Sequence, residues 1–291
     1  METKDSKSSS LYKPRAKKSM PAKLAMVYDF DGTLIDGIMS DSIVEGLGLD
    51  PKTFWEGCSD YAHRHGMDKI CSYMFLLLRQ AKSKNKPLTL ESMQEVGRGL
   101  ELRAGLEGDD SWFERINGLC KDARASVEHY VVTSGLAEIV EANPIVGEGR
   151  IARVFGSRFH YDEDGAQWPA KVVNYTTKTQ YLFRINKGAL DEGDEDEPNR
   201  YMPPEKRPIP FENMIFIGDG FTDIPCFSLV KANKGHAFAV LGADDDKSKK
   251  TIERLVADKR VDGISLKDHF KPDGILFKSI GRIVERIGAR G

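Results

Sequence analysis

LAMVYDFDGT (24–33) runs five apolar side chains in succession and then stops abruptly at Asp29, Phe30, Asp31, Gly32 and Thr33. Unbroken apolarity means that both faces of the segment are buried, as in a parallel sheet, because a half-exposed antiparallel strand would alternate. The carboxylates mark where the strand leaves the core. Working outward, HYVVTSG (129–135), NMIFIGDG (213–220) and HAFAVLG (236–242) repeat the pattern. Segments with helical spacing lie between or after them: DDSWFERINGLCKDARA (109–125), GLAEIVEA (135–142), TQYLFRINKG (179–188) and SKKTIERLVADK (248–259). This alternation predicts a doubly wound α/β fold with helices on both faces of a parallel sheet.

The stretch from 37 to 103 interrupts the alternation. It reads as helical, with glycines mainly at its margins, and it is too long for a single loop. It is expected to be an inserted helical subdomain, with 23–36 and 104–291 forming the α/β core. Residues 1–22 are rich in Lys, Ser and Pro and are read as a floppy tail; no apolar h-region follows the charges, which argues against a signal peptide. DEGDEDEPNRYMPPEKRPIP (191–210) is expected to be a solvated surface loop, since hard-cation loops space their ligands around a turn glycine. YDEDGA (161–166) reads as a β-hairpin turning at Asp164–Gly165, with flanking His160 and Trp168 as structural residues.

Composition narrows the function classes. The 291 residues are 40% hydrophobic and 30% charged, with Lys+Arg 43 against Asp+Glu 45 and a net charge of -2. That balance disfavours both a disordered chain and a broadly basic nucleic-acid binder. The apolar run YMFLLL (73–78) is far short of a bilayer span, so no membrane partner is expected. Cys58, Cys71, Cys120 and Cys226 form no CxxC pair, which fits a reducing, cytoplasmic setting rather than a zinc cage or a disulfide framework.

In a doubly wound sheet ligands bind beyond the carboxyl ends of the strands, so groups that end different strands should converge. Those groups are Asp29 and Asp31 on the first strand, Thr133, Ser134 and Gly135 on the second, and Asp219 on the third, with Asp223 four residues later. Clustered carboxylates repel unless a cation joins them. An oxygen-only set without His or Cys points to Mg²⁺ rather than zinc.

DFDGT (29–33), VVTSG (131–135), a Lys beside an amphipathic helix and GDGFTD (218–223), in this order, resemble the four signature motifs of the haloacid dehalogenase (HAD) superfamily. The resemblance spans residue 24 to about 245. It implies that Asp29 is a nucleophile that becomes an aspartyl-phosphate, and that Asp31 is the general acid and base. It further implies that Mg²⁺ is held by Asp29, the Asp31 main-chain carbonyl and Asp219, with Asp223 in support. Thr133 and the N–H groups of Ser134 and Gly135 would bind the phosphoryl group. For the phosphate-site lysine there are two candidates, Lys178 and Lys187, and Lys178 is preferred because it stands immediately before its helix. Carboxylate at position 31 matches phosphatases and phosphomutases, not dehalogenases or ion-pumping ATPases.

The insert at 37–103 falls where the superfamily places a C1-type cap, which implies a small phosphorylated substrate. Within it, His63, Arg64, His65 and Lys69 read as a solvated polar turn or as readers of an anionic leaving group. Phe54, Trp55, Tyr73, Met74 and Phe75 are assigned to packing inside the cap. The order of segments around Gly105, SGLAEIVEA and VFGSRFHYDEDG is most similar to the phosphoserine phosphatase-like branch, although that branch's cap carboxylate and arginine have no match here. The expected function is a Mg²⁺-dependent phosphomonoesterase. The rivals are a phosphomutase or phosphotransferase of the same superfamily and a non-catalytic HAD-like binding protein.

Overall fold

The computed structural model describes residues 21–290, so all but the end of the tail expected at 1–22 lies outside the described residues. In chain order the elements are β1 (Lys23–Tyr28), α1 (Asp41–Gly46), α2 (Pro51–His65), α3 (Lys69–Ser83), α4 (Leu90–Gly99), α5 (Trp112–Asp122), β2 (Ser126–Leu136), α6 (Ala137–Glu141) and α7 (Pro144–Gly147). There follow β3 (Arg153–Asp162), β4 (Gly165–Lys171), α8 (Lys178–Lys187), α9 (Asp196–Asn199), β5 (Met214–Gly218), α10 (Ile224–Ala232), β6 (His236–Val240), α11 (Asp246–Ala257), β7 (Gly263–Ser265) and α12 (Ile275–Gly288). The strands form one sheet in the order β4-β3-β2-β1-β5-β6-β7. All neighbours pair in parallel except β3 with β4.

β1 is central, and its side chains divide between two cores. Leu24, Met26 and Tyr28 pack with Trp112, Phe113 and Ile280 on one face, while Ala25 and Val27 pack with Tyr181, Leu182 and Phe227 on the other. Burying a large apolar side chain contributes roughly 1.5–3 kcal/mol, so the strand stays apolar until it leaves the sheet at Asp29. The strand order reverses at β1, which makes its carboxyl end the switch point where α/β sheets bind ligands.

The sheet has three strands beyond the four read from apolar runs. β7 is only three residues long, and β3 mixes polar with apolar residues because its outer half pairs with β4 alone, at the edge. The hairpin turn itself is Glu163–Asp164, and Gly165 opens β4 rather than closing the turn.

Residues 41–99 supply α1 to α4. Asp50 caps α2 by accepting from the Thr53 N–H (2.8 Å), Asp68 caps α3 through Ile70 N (2.8 Å) and Cys71 N (3.0 Å), and Thr89 with Ser92 forms a capping box on α4. His63, Arg64 and His65, expected in a polar turn, instead form the last turn of α2, where basic groups complement the helix dipole. This layer is fastened to the core. Asn143 Nδ2 donates to the carbonyls of Gly97 (3.1 Å) and Leu100 (3.3 Å), and Ala166 N–H of β4 donates to the Leu88 carbonyl (2.7 Å). A Cβ on Gly97 would lie 1.9 Å from the Ile139 carbonyl oxygen, so α4 rests directly on the backbone of α6.

The acidic segment after α8 is exposed over most of its length. It is tied down where Arg184 donates to the Asp191 carbonyl (2.8 Å) and Lys187 Nζ to the Arg200 carbonyl (2.9 Å). Among the described residues no helix is long and apolar enough to cross a membrane, and the four cysteines are unpaired.

Candidate active site

Asp29 is the first residue past β1. Its N–H continues the strand pairing by donating to the Ile217 carbonyl (2.9 Å), and its Oδ1 accepts from the Phe30 N–H (2.8 Å), which fixes the carboxylate at the sheet edge. Lys178 opens α8 and is fully buried; its Nζ lies 2.8 Å from Asp29 Oδ1 and 2.8 Å from Asp223 Oδ1. Asp219 follows β5, and carboxylate oxygens of Asp29, Asp219 and Asp223 all lie within 4.8 Å of one another. The ammonium therefore links the ends of β1 and β5 from inside the core.

One ammonium is too little charge for three carboxylates. Burial works against the charged form of Lys178, yet Asp223 and Asp29 outweigh it and raise its pKa. Burial and then Asp29 push Asp223 up to about 7 despite Lys178, and burial with Asp223 and Asp29 raises Asp219 well above the usual carboxylate range. These acids resist ionising together until a further positive charge arrives. Three converging oxygens of this kind, with no nitrogen or sulfur donor, suit a hard divalent cation.

Asp31 lies two residues beyond Asp29, on the turn, where its Oδ1 accepts from the Met39 N–H (2.7 Å). Withdrawal from water raises its carboxyl to about 7; the Met39 N–H and Lys178 pull it down, and Asp29 pushes it up. Thr133 is buried at the end of β2 with its Oγ1 accepting from the Gly135 N–H (3.0 Å). Among the described residues Thr33 Oγ1, in the turn after β1, and Ser134 Oγ, near the end of β2, are buried without a hydrogen-bond partner.

These groups open onto a pocket of about 300 Å³, shared by Asp29, Asp31, Thr133, Ser134, Gly135 and Asp219. The sequence-predicted residues thus meet in one place, with Asp223 and Lys178 buried directly behind. Lys187 is elsewhere, its Nζ on the carbonyls of Pro198 (2.5 Å) and Arg200 (2.9 Å) at the far end of α8. The wall facing the carboxylates comes from the insert: Gly37, Ile38, Ser40, Trp55, Ile70 and Tyr73. Trp55 and Tyr73, read from sequence as packing residues, both pack (ring centroids 5.2 Å apart) and line the pocket, while Phe75 is 39% exposed rather than packed inside. Ile70 and Thr222 also line an outer cleft of about 1110 Å³ between insert and core, where Lys69, Lys250 and Arg254 make no ion pair among the described residues.

Sequence reasoning missed Arg103. It sits at the exit of the insert and sends its guanidinium back to the carbonyls of Gly32 (2.9 Å) and Gly242 (2.7 Å), on the loops beside Asp219. A lone arginine outside any motif gives no signal of this.

The sequence model of haloacid dehalogenase-like hydrolases matches residues 26–228. This chain belongs to that family. The HAD match contains Asp29, Thr133, Lys178 and Asp219, whereas Gly242 and Ala243, which line the pocket after β6, lie beyond it. An uncharacterized protein of Borreliella burgdorferi is 26% identical over 262 residues, which is 81% of this chain and 89% of the relative. Among solved structures, a HAD family hydrolase from Salmonella enterica serovar Typhi superposes with a TM-score of 0.56 at 16% identity, covering 87% of this chain and 70% of that one. A phosphoserine phosphatase solved with an analogue of its phospho-aspartyl intermediate gives 0.52 at 16% identity, covering 84% and 94%. At such identities the likeness is one of fold, and it agrees with the mostly parallel sheet described above.

Proposed function

We propose that this HAD hydrolase is a cytoplasmic, Mg²⁺-dependent phosphatase that cleaves a small phosphorylated metabolite through an aspartyl-phosphate on Asp29, with residues 37–103 serving as the cap. The observation that carries this reading is the buried contact of Lys178 with both Asp29 and Asp223, at 2.8 Å each, beside Asp219 and behind an open pocket. Asp29, the main-chain carbonyl of Asp31, Asp219 and Asp223 are the groups that would hold the cation. When bound, it would neutralise phosphoryl oxygens and so make the approach of a carboxylate to a dianion tolerable.

The chain's own groups account for the remaining steps. An Asp29 carboxylate oxygen forms a bond to phosphorus while the bond from phosphorus to the leaving oxygen breaks, and Asp31 delivers its proton to that oxygen. A carboxyl raised to about 7 leaves a substantial share of the molecules carrying that proton near neutral pH. Asp31, now a carboxylate, takes a proton from water as the water oxygen bonds to phosphorus; the Asp29–phosphorus bond breaks and phosphate leaves. Lys178 holds Asp29 in place throughout, and the Thr133 hydroxyl, which accepts from the Gly135 N–H and keeps its own proton to donate, would face the phosphoryl oxygens beside the Ser134 N–H.

The insert side of the pocket is lined by Gly37, Ile38, Ser40, Trp55, Ile70 and Tyr73, with no carboxylate or guanidinium among them, and this speaks against recognition of an amino-acid head group such as that of phosphoserine. A leaving group with an apolar portion fits better; the outer cleft sets Lys69, Lys250, Arg254 and Arg260 against Asp68, Asp246 and Asp258, a small positive excess that would suit a further negative charge on it. The test is release of inorganic phosphate from p-nitrophenyl phosphate and from a panel of phosphorylated metabolites with added Mg²⁺. Asp29→Asn is expected to abolish release in a protein that still folds, because Lys178 keeps its ion pair with Asp223; turnover persisting in that variant would remove Asp29 from the nucleophile role.

A further inference from the structure

The Asp219 carboxylate receives no hydrogen bond among the described residues, unlike Asp29, Asp31 and Asp223. Its position is set by its walls. A Cβ placed on Gly32 would fall 2.4 Å from Asp219 Oδ2, and one placed on Gly242 would fall 2.1 Å from the same atom. The carboxylate is thus seated between two stretches of bare backbone, the turn after β1 and the loop after β6. Both walls are loops, and what holds them at this spacing determines where Asp219 points.

Arg103 does so. Its Nη2 reaches the Gly32 carbonyl at 2.9 Å and the Gly242 carbonyl at 2.7 Å, and its Nε donates to the Ile35 carbonyl at 3.2 Å. Its own N–H donates to the Leu34 carbonyl (2.9 Å), next to the bridge between Ile35 and Leu102. Nη2 has two hydrogens and a third close acceptor, Asp36 Oδ1 at 2.8 Å, but that aspartate side chain is 82% exposed while Arg103 is 13% exposed. An ion pair that open to water contributes little, so the carbonyl contacts are the ones that matter. A planar guanidinium can span two carbonyls in a fixed geometry, whereas a lysine ammonium is a single point on a flexible stem.

We propose that Arg103 is a positioning residue for Asp219: by clamping the carbonyls of Gly32 and Gly242 it keeps the slot closed around that carboxylate and so tunes affinity for the divalent cation. This rests on the cation reading given above. Outer-sphere groups that orient a ligand change metal affinity by about 10- to 100-fold when removed.

The experiment is Mn²⁺ titration of the full chain, by calorimetry and by loss of the free-ion paramagnetic resonance signal, so that the readout does not depend on turnover. Arg103→Ala is expected to weaken Mn²⁺ binding at least about tenfold and Arg103→Lys by an intermediate factor, while Asp36→Asn stays within about twofold of the wild type. At saturating metal, kcat and KM for p-nitrophenyl phosphate should recover most of their wild-type values in both Arg103 variants. Wild-type affinity in folded Arg103→Ala, or in Arg103→Lys should the alanine variant not fold, overturns the proposal, even if the melting temperature of the metal-free protein has dropped. A wild-type chain that binds no Mn²⁺ overturns the cation reading instead, which separates the two failures.

Discussion

On the sheet side of the pocket, Asp29, Lys178 and Asp223 are nearly or wholly cut off from water and joined by charge-assisted contacts of 2.8 Å. On the opposite side, Trp55, Ile70 and Tyr73 are held by helix caps and ring packing, and the cleft beyond them mixes Asp68, Asp246 and Asp258 with Lys69, Lys250 and Arg254, which are exposed and make no ion pair among the described residues. The first region is costly to alter because burial turns each lost partner into an uncompensated charge. The second tolerates exchange, since helices of similar period can present many different side chains to the same space. On the proposed function, chemistry would reside in the region that resists change, and selectivity in the region that admits it.

The sharpest way to break that contrast is Lys178→Ala, which leaves Asp29 and Asp223 facing each other without their ammonium. It is expected to lower the free energy of unfolding by about 3–5 kcal/mol in urea titrations and to remove phosphatase activity. A loss below about 1 kcal/mol would mean that the buried charges are not coupled as the distances indicate.

An intermediate effect belongs to the other end of β2. Trp112 Nε1 donates to Tyr28 Oη (2.9 Å), Tyr28 bonds to His129 Nδ1 (2.9 Å), and His129 Nε2 faces Asn117 Oδ1 (3.2 Å). Burial lowers the His129 pKa from 6.5 to about 3, so the unfolded chain takes up a proton that the folded one refuses. Its stabilising contribution is complete above pH 6.5 and is lost as the pH falls from there toward about 3, at a rate near 1.4 kcal/mol per pH unit. Urea midpoints of the wild type and His129→Gln between pH 7.5 and 5 should therefore converge as the pH drops; parallel curves would show that the imidazole is not kept neutral.

The smallest expected effect tests the exposed side. Lys250→Glu with Arg254→Glu should raise KM several-fold for phosphomonoesters with a second anionic group and leave p-nitrophenyl phosphate unchanged, because exposed pairs contribute only about 0.2–1 kcal/mol each. Equal shifts for both substrate types would assign the cleft no part in recognition.

The same contrast explains what the sequence discloses. Asp29, Asp31, Thr133 and Asp219 are legible because a buried strand must stay apolar until it ends, so a carboxylate or hydroxyl at that point stands out. Lys178 and Lys187 bracket one helix and look alike in sequence; only the geometry places one on Asp29 and the other on loop carbonyls. Helical periodicity assigns Trp55 and Tyr73 to packing, which is where they are, but it does not tell that the packed surface is also a pocket wall. Arg103 acts through backbone carbonyls, which every residue has, so its partners carry no residue signature at all.

Because Gly97 seats α4 on the Ile139 carbonyl and β4 holds the Leu88 carbonyl, the α4 end of the insert is stapled to the sheet layer in addition to the insert's two connections. Side chains lengthen or shorten over evolution more readily than a helix lifts from a backbone it touches. The aperture above the carboxylates is therefore gauged by the sheet, and divergence among descendants of this chain would re-tool the furniture of the chamber while its height stayed the same.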